Sequence, residues 1–360
     1  MKPSSTDVQL LRDLVAIPSV SGEEEAVAQF AEETARAAGL DVVRDSAGVK
    51  VEVGGHRPGP TLALVSHLDV VPPGDGWTRD PFTPALENGR LYGRGSGDAK
   101  ASVAAMLLAA QDIAQHGGPP TGRLLVILGH GEETRNTSMP QAVASAGAIA
   151  AAVVGEPTNL DIAVAQRGLM MVDLVARGEQ RHAGYADPSP GGDGFVNATQ
   201  VLARDLVALR EIARDRRHPV LGFPTITPTM LEAGIGRNVT PPVARAVLDV
   251  RSTPTWPHSD LADALRQALE SDVVVTSDRL VPCETPAGSS LLAAAQRVRP
   301  EAKTFGSPTC SDWVFLRDRD VIKCGPGTSR NSHTPDEWVL VDEVSAARGF
   351  YARLALEYLA

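Results

Sequence analysis

The order of this chain predicts an α/β fold: a mixed, mostly parallel sheet flanked by helices and interrupted by a smaller α+β insert. Three observations carry that prediction. The apolar runs TLALVSH (61–67), RLLVILG (123–129) and AAVVG (151–155) have the length of buried strands and alternate with helical stretches. The texture changes after Gln166, where LMMVDLVARG (169–178) alternates like a half-exposed strand. Beyond residue 278 the first texture resumes.

Residues 6–16 and 23–38 read as helices, because Leu and Ala recur at helical spacing, Thr6 and Ser21 are placed to cap, and Gly39 stands where a chain leaves a helix. VKVEV (49–53) reads as strand, and KASVAAMLLAAQDIAQH (100–116) as an apolar helix stopped by Gly117-Gly118. Within the insert, a long amphipathic helix fits 197–215, a strand 244–252, a second helix 259–271 and a strand 272–277. This is a β-α-β-β-α-β-like order, that of a small open-faced sandwich. Residues 290–298 then read as helix, DVIKCG (320–325) as strand and 341–359 as a terminal helix. HRPGP (56–60), PPGDG (72–76) and DPSPGGDG (187–194) are turn-rich.

With 360 residues, 43% of them hydrophobic, the chain can build two domains. A net charge of −10 argues against a nucleic-acid or anionic-membrane partner, which needs clustered Lys and Arg, and leaves small molecules as the expected partners. Cys283, Cys310 and Cys324 are odd in number and lack CxxC spacing, so no disulfide framework is expected and a reducing compartment is favoured. The first residues form an acidic amphipathic stretch without a signal-peptide core, and no apolar run reaches the ~18 residues of a membrane span. A cytoplasmic protein is the expectation.

Residues of ligand type follow the apolar runs one at a time. His67 closes TLALVSH, Glu132 and Glu133 follow RLLVILGHG, Glu156 follows AAVVG, His333 lies in the loop after DVIKCG, and Asp98 lies in GRGSGDAK just before a helix. In an open α/β sheet, ligands collect beyond the carboxyl ends of strands. Alone, each of these residues is more commonly a solvated surface group. Their shared placement predicts one metal centre assembled from many strand ends. Imidazole and carboxylate donors without a thiolate suit zinc, manganese or cobalt, whereas calcium and magnesium prefer oxygen alone. Two histidines and three carboxylates exceed one tetrahedral shell but suit two ions if a carboxylate bridges. Adjacent Glu132 and Glu133 repel unless a cation lies near.

At HLDVVPPGDGW…PF (67–82), GRLYGRGSGDAKAS (89–102), GEET (131–134), VVGEPT (153–158) and SHTPDE (332–337), the chain resembles the M20 metallopeptidase family, the group of acetylornithine deacetylase, succinyl-diaminopimelate desuccinylase, aminoacylase and glutamate carboxypeptidase. The resemblance covers nearly the whole chain. It implies a catalytic domain of residues 1–166 and 279–360 and a lid or dimerisation domain of residues 167–278, the latter joining a homodimer. It further implies that His67 and Glu156 hold one divalent ion, that Glu133 and His333 hold the other, and that Asp98 bridges them, with zinc placed ahead of cobalt or manganese. Asp69 would orient His67, and Glu132 would act as general base and acid. Further positions match less closely. His182 would donate to the oxyanion, Asn238 and Arg251 would hold the substrate carboxylate, and GSPTCSD, with Gly306, Thr309 and Ser311, would line the pocket on the catalytic domain.

The chain departs from the family pattern at Ala99-Lys100-Ala101 after Asp98, and at Thr134-Arg135-Asn136-Thr137 after Glu133. Both changes leave the ligands intact and put substrate choice in doubt. The expected activity is removal of a small acyl group, acetyl first, from an N-acyl amino acid such as N-acetylornithine or N-acetyl-lysine, in arginine or lysine biosynthesis. A dipeptidase, a carboxypeptidase or a desuccinylase of the same fold ranks next. A silent binding protein on this scaffold is disfavoured, because it would not need a proton shuttle beside a metal centre.

Overall fold

The computed structural model describes residues 5–186 and 195–360; the turn-rich stretch 187–194 lies outside them. The chain divides into two compact units. The first takes in the chain up to Val164, Thr285–Phe305 and Ser311–Ala360; the second is Ala165–Glu284 with Gly306–Cys310.

In the first unit the sheet order is Asp41–Asp45, Gly48–Gly54, Arg123–Gly129, Thr61–His67, Ala151–Val154, Asp320–Lys323 and Ile162–Gln166, the last being the strand on which the unit boundary falls. The four strands from Arg123–Gly129 to Asp320–Lys323 run parallel, and the outer pairings are antiparallel. Every residue of Thr61–His67 is buried, as a strand covered on both faces requires. The helix Lys100–Gln115 is apolar around most of its circumference because it lies against the terminal helix Val341–Tyr358, the helix Ser5–Ala16 and the sheet together.

The helix read at 23–38 spans Glu25–Ala37, and Glu24 stands at its N-cap rather than Ser21. Ser21 instead donates its hydroxyl to Asp69 Oδ2 at 2.7 Å. Gly39 adopts φ +75° and donates its N–H to Arg36, ending the helix in the left-handed conformation that glycine tolerates. Thr6 lies inside Ser5–Ala16 rather than before it.

The second unit builds one antiparallel sheet in the order Thr225–Ala233, Val243–Arg251, Leu169–Arg177, Asp272–Leu280, covered by the helices Ala198–Ala208 and His258–Ala268. This is the split β-α-β arrangement. The helix read at 197–215 is shorter: Asn197 caps it by accepting from the N–H groups of Thr199 and Gln200, and a 3-10 turn at Leu209–Glu211 ends it so that Leu209, Ile212 and Ala213 reach the core. Two segments expected with the first unit pack here instead. The strand from Asp272 runs on to Leu280, paired with Leu169. The loop Gly306–Cys310 is held by the Cys310 thiol, which donates to Arg167 O at 3.0 Å, and by Gly306, whose missing side chain leaves room for Val220 and Leu221. Among the described residues, no helix is long and apolar enough to cross a membrane.

Leu64, fully buried in the central strand, should cost about 2–5 kcal/mol when cut to alanine, whereas Val43→Ala on the exposed edge strand should stay within about 0.5 kcal/mol; urea denaturation measures both.

Candidate metal centre

Parallel register brings the expected residues to one edge of the sheet. His67 pairs with Gly129, Val65 pairs with Val154, and Val154 pairs with Lys323, so the loops after these strands leave the sheet side by side. Those loops carry Asp69, Glu132 and Glu133, Glu156 and His333.

The geometry centres on His67, whose residue is 1% exposed. Its Nε2 lies 3.3 Å from Asp98 Oδ1 and 3.8 Å from Glu156 Oε1. Its Nδ1 lies 3.0 Å from the backbone oxygen of Asp69 and 3.4 Å from Asp69 Oδ1. Only acceptors face Nδ1 and Nε2 alike, and although burial works to lower the ring's pKa, its hydrogen bonds to Asp69 and Asp98 raise it well above the ordinary value. On the far side of Asp98, His333 Nε2 is 3.7 Å from Asp98 Oδ2 and 2.9 Å from Glu133 Oε1. Donor atoms of His67, Asp98 and Glu133 all lie within 4.8 Å of one another.

Asp69 is the hub beneath. It is fully buried, and its carboxylate accepts from the N–H groups of Glu132 at 3.0 Å and Glu133 at 3.1 Å as well as from Ser21. Burial works to raise its pKa, but His67 and these donors outweigh burial and hold the group down at about 2. Asp98 is also lowered, against its burial, by His67 and His333, whereas the neighbouring glutamates behave in the opposite way. Burial first and the Asp98 charge second push Glu156 up to about 8. Although Glu132 keeps some solvent contact, the protein around its carboxyl desolvates it, and with the Glu156 charge raises it well above the usual carboxylate range. Glu133 is raised chiefly by desolvation, against its hydrogen bond to His333. Glu156 Oε1 is buried without a hydrogen-bond partner.

The same cluster contains residues to which the sequence reading gave no role. Asp312 is buried, accepts from Asn136 Nδ2 at 2.5 Å, and is raised to about 6, chiefly by desolvation. Glu337 is buried against the loop that bears Asp98. Lys100, also buried, donates to Leu14 O at 3.0 Å and Ile17 O at 2.8 Å, fastening the end of the first helix to the start of its own. A signal existed only for Asp312 and Glu337, as acids beside apolar stretches inside GSPTCSD and SHTPDE.

Residues 63–357 match the family model described as peptidase family M20/M25/M40. The chain belongs to this family. It is 31% identical to a succinyl-diaminopimelate desuccinylase of Cereibacter sphaeroides, over 98% of this chain and 99% of the relative. It is 30% identical to the acetylornithine deacetylase of Myxococcus xanthus, over 97% and 96%. The fold is shared with aminopeptidase PepT of Bacillus cereus (TM-score 0.82, 18% identity, 99% of this chain and 98% of that one). It is also shared with the YXEP protein of Bacillus subtilis, described as a dinuclear metal binding peptidase (TM-score 0.74, 16% identity, 98% and 97%). This M20 chain is accordingly a metal-dependent hydrolase.

The remaining M20-type candidates divide between the units. Ser311, in the first, is buried at the start of the turn Asp312–Leu316 and accepts from Trp313 N. Gly306 and Thr309 belong to the second, where Thr309 Oγ1 lies 3.1 Å from Ser307 Oγ. Also there, His182 and Asn238 are exposed; His182 Nδ1 accepts from Gly184 N at 3.1 Å, and Asn238 O accepts from Ala183 N. Arg251 is tied to Asp249 through Nε at 2.7 Å and Nη2 at 3.0 Å.

Because Asp312 titrates higher folded than unfolded, its contribution to stability is full below about pH 4 and lost as pH rises through about 6. In chelator-treated protein, Asp312→Asn should therefore gain roughly 2–3 kcal/mol over wild type between pH 4 and pH 7, read by urea denaturation at both.

Proposed function

We propose that the chain hydrolyses the amide bond of an N-acyl amino acid. The observation that carries this reading is the gathering of His67, Asp98, Glu133, Glu156 and His333 beside the desolvated carboxyl of Glu132. The residues fit a pair of divalent cations. Several carboxyls share one desolvated volume, the buried Glu156 Oε1 and Asp312 Oδ2 have no donor, and His67 Nε2 faces the carboxylates of Asp98 and Glu156. His67 and Glu156 would hold one ion, Glu133 and His333 the other, with Asp98 shared; the imidazole and carboxylate donors favour zinc, with cobalt or manganese as substitutes. Bound there, such ions would supply Lewis acidity, lowering the pKa of water and polarising the amide carbonyl.

The chain's own groups supply the rest. Glu132 accepts a proton from the attacking water and passes it to the leaving nitrogen. Its backbone N–H is pinned by Asp69, so the shuttle and the orientation of His67 share one anchor. Because His182 Nδ1 accepts from Gly184, its proton sits on Nε2, which suits that exposed ring to donate to a developing oxyanion. We also assign a homodimer to the second unit, on the support of its outer strand Thr225–Ala233, where Met230 and Leu231 are 67% and 64% exposed.

Acetyl and succinyl substrates are separate readings. Similarity to the desuccinylase and to the deacetylase is nearly equal. The succinyl reading gains support from Arg167 and Arg251, two partly buried guanidinium groups close enough for Arg251 to join burial in lowering the Arg167 pKa. Hydrolysis of N-acetylornithine, N-acetyl-lysine, N-succinyl-diaminopimelate and simple dipeptides by zinc- and cobalt-loaded protein tests the assignment: one acyl amino acid should be cleaved preferentially, and cleavage of dipeptides alone would overturn it.

Glu132→Ala should retain the metal content of wild type and lose about 10²–10⁴-fold in kcat. Elemental analysis and steady-state kinetics check the two halves, and an unchanged kcat removes Glu132 from the chemistry.

A further inference from the structure

Glu337 joins two chain segments that are distant in sequence and carry candidate ligands. It is 1% exposed, and its carboxylate accepts four hydrogen bonds, all from the loop that bears Asp98. Oε1 takes the N–H groups of Gly97 at 2.9 Å and Asp98 at 3.0 Å; Oε2 takes the N–H of Gly95 at 3.0 Å and Arg94 Nη1 at 2.6 Å. Its backbone oxygen accepts from Gly93 N at 2.9 Å. Arg94 is equally buried, donates through Nη2 to Pro73 O at 3.1 Å, and lies 5.1 Å from the centre of the Trp77 ring.

His333 lies four residues before Glu337, on a loop where His333 and Asp336 both adopt left-handed conformations, at φ +63° and +52°. For non-glycine residues such a conformation costs roughly 1 kcal/mol or more, so something must hold the loop. Asp336 helps from outside, accepting from Thr78 N at 3.0 Å and Thr78 Oγ1 at 2.8 Å. From inside, Glu337 fills a nest of three convergent N–H groups that would otherwise be buried without acceptors. One of those donors is the N–H of Asp98 itself.

We infer that Glu337 is a positioning residue for metal binding: by clamping the Asp98 loop to the His333 loop, it presets the separation of Asp98 Oδ2 and His333 Nε2, 3.7 Å here. This rests on the reading of Asp98 and His333 as ligands. A carboxylate is needed because all four donors point inward. In Glu337→Gln the amide oxygen can serve one pair, while the NH₂ group meets the other pair donor to donor. Arg94→Lys leaves the three backbone donors on Glu337 and disturbs only the ion pair.

The experiment measures zinc stoichiometry and zinc affinity by competition with a chromophoric chelator, together with thermal unfolding of the metal-free proteins. Glu337→Gln should weaken the binding of at least one zinc ion by about 10–100-fold. Arg94→Lys should lower the unfolding temperature and keep zinc affinity within about threefold of wild type; a purely structural role for Glu337 would instead change zinc affinity equally in both variants or in neither. Wild-type affinity in Glu337→Gln, or equal weakening in both variants, overturns the positioning role and leaves the ligand assignment standing. Failure of wild type to bind zinc, cobalt or manganese overturns both. Should Glu337→Gln not fold, Glu337→Asp, which keeps the charge but is too short to span the nest, must show the zinc defect for the inference to hold.

Discussion

The rest of the first unit depends on the confinement of several carboxylates around one imidazole. Asp69, Asp98, Glu132, Glu133, Glu156 and Asp312 influence His67 or one another through protein that excludes much of the water. Like charges in a desolvated volume oppose folding unless protons or cations enter. Asp69 and Asp98 are held ionised by the protein itself, Asp69 because backbone N–H groups, a hydroxyl and His67 turn toward it and Asp98 because His67 and His333 outweigh its burial. Asp69 is therefore a structural anion, and Glu132, Glu133, Glu156 and Asp312 are poised groups. The parallel strands, the apolar helix Lys100–Gln115 and the buried Lys100 supply a frame stiff enough to keep such groups together.

That frame explains which parts were readable in the sequence. Runs such as TLALVSH and RLLVILG announce buried parallel strands, because both faces must be apolar, and the polar residue ending each run must then sit at the sheet edge. The edge strands were less legible. Asp41–Asp45 is mostly charged, and Thr225–Ala233 carries Pro228 beside a bulge and leaves almost every residue exposed, so neither shows an apolar pattern. The residue Glu337 stood inside the legible SHTPDE motif, but its role was hidden for a different reason. Its partners are backbone N–H groups some 240 positions earlier, which have no sequence signature at all. Ser21 misled because a serine before a helical run signals a cap, whereas here a buried carboxylate claims its hydroxyl.

Arg251 marks where motif matching and local structure give different information. A guanidinium matched to a carboxylate-binding position suggests a free cation, yet this one is already engaged by Asp249 through two nitrogens. The Arg167 guanidinium is held by the oxygen of Leu221 at 2.8 Å and Thr225 Oγ1 at 3.3 Å, neither of which neutralises it. The pair with Asp249 thus keeps one surplus positive charge, desolvated enough that burial, with the Arg251 charge, lowers the Arg167 pKa.

Under the proposed function, that surplus would bear on substrate choice more than the metal centre would. Metal-assisted hydrolysis is chemically the same for acetyl, succinyl and peptidyl amides, so discrimination would come from what the rest of the substrate offers the protein. A pocket that merely encloses a methyl group separates neighbouring acyl chains by about 1–3 kcal/mol. A pocket that pairs a second carboxylate can do far better, because the analogue lacking it leaves a desolvated cation unanswered. On the succinyl reading, the surplus charge at Arg167 is the feature that would reject an acetyl group; on the acetyl reading it has no assigned partner, and a desolvated arginine would be carried for another purpose.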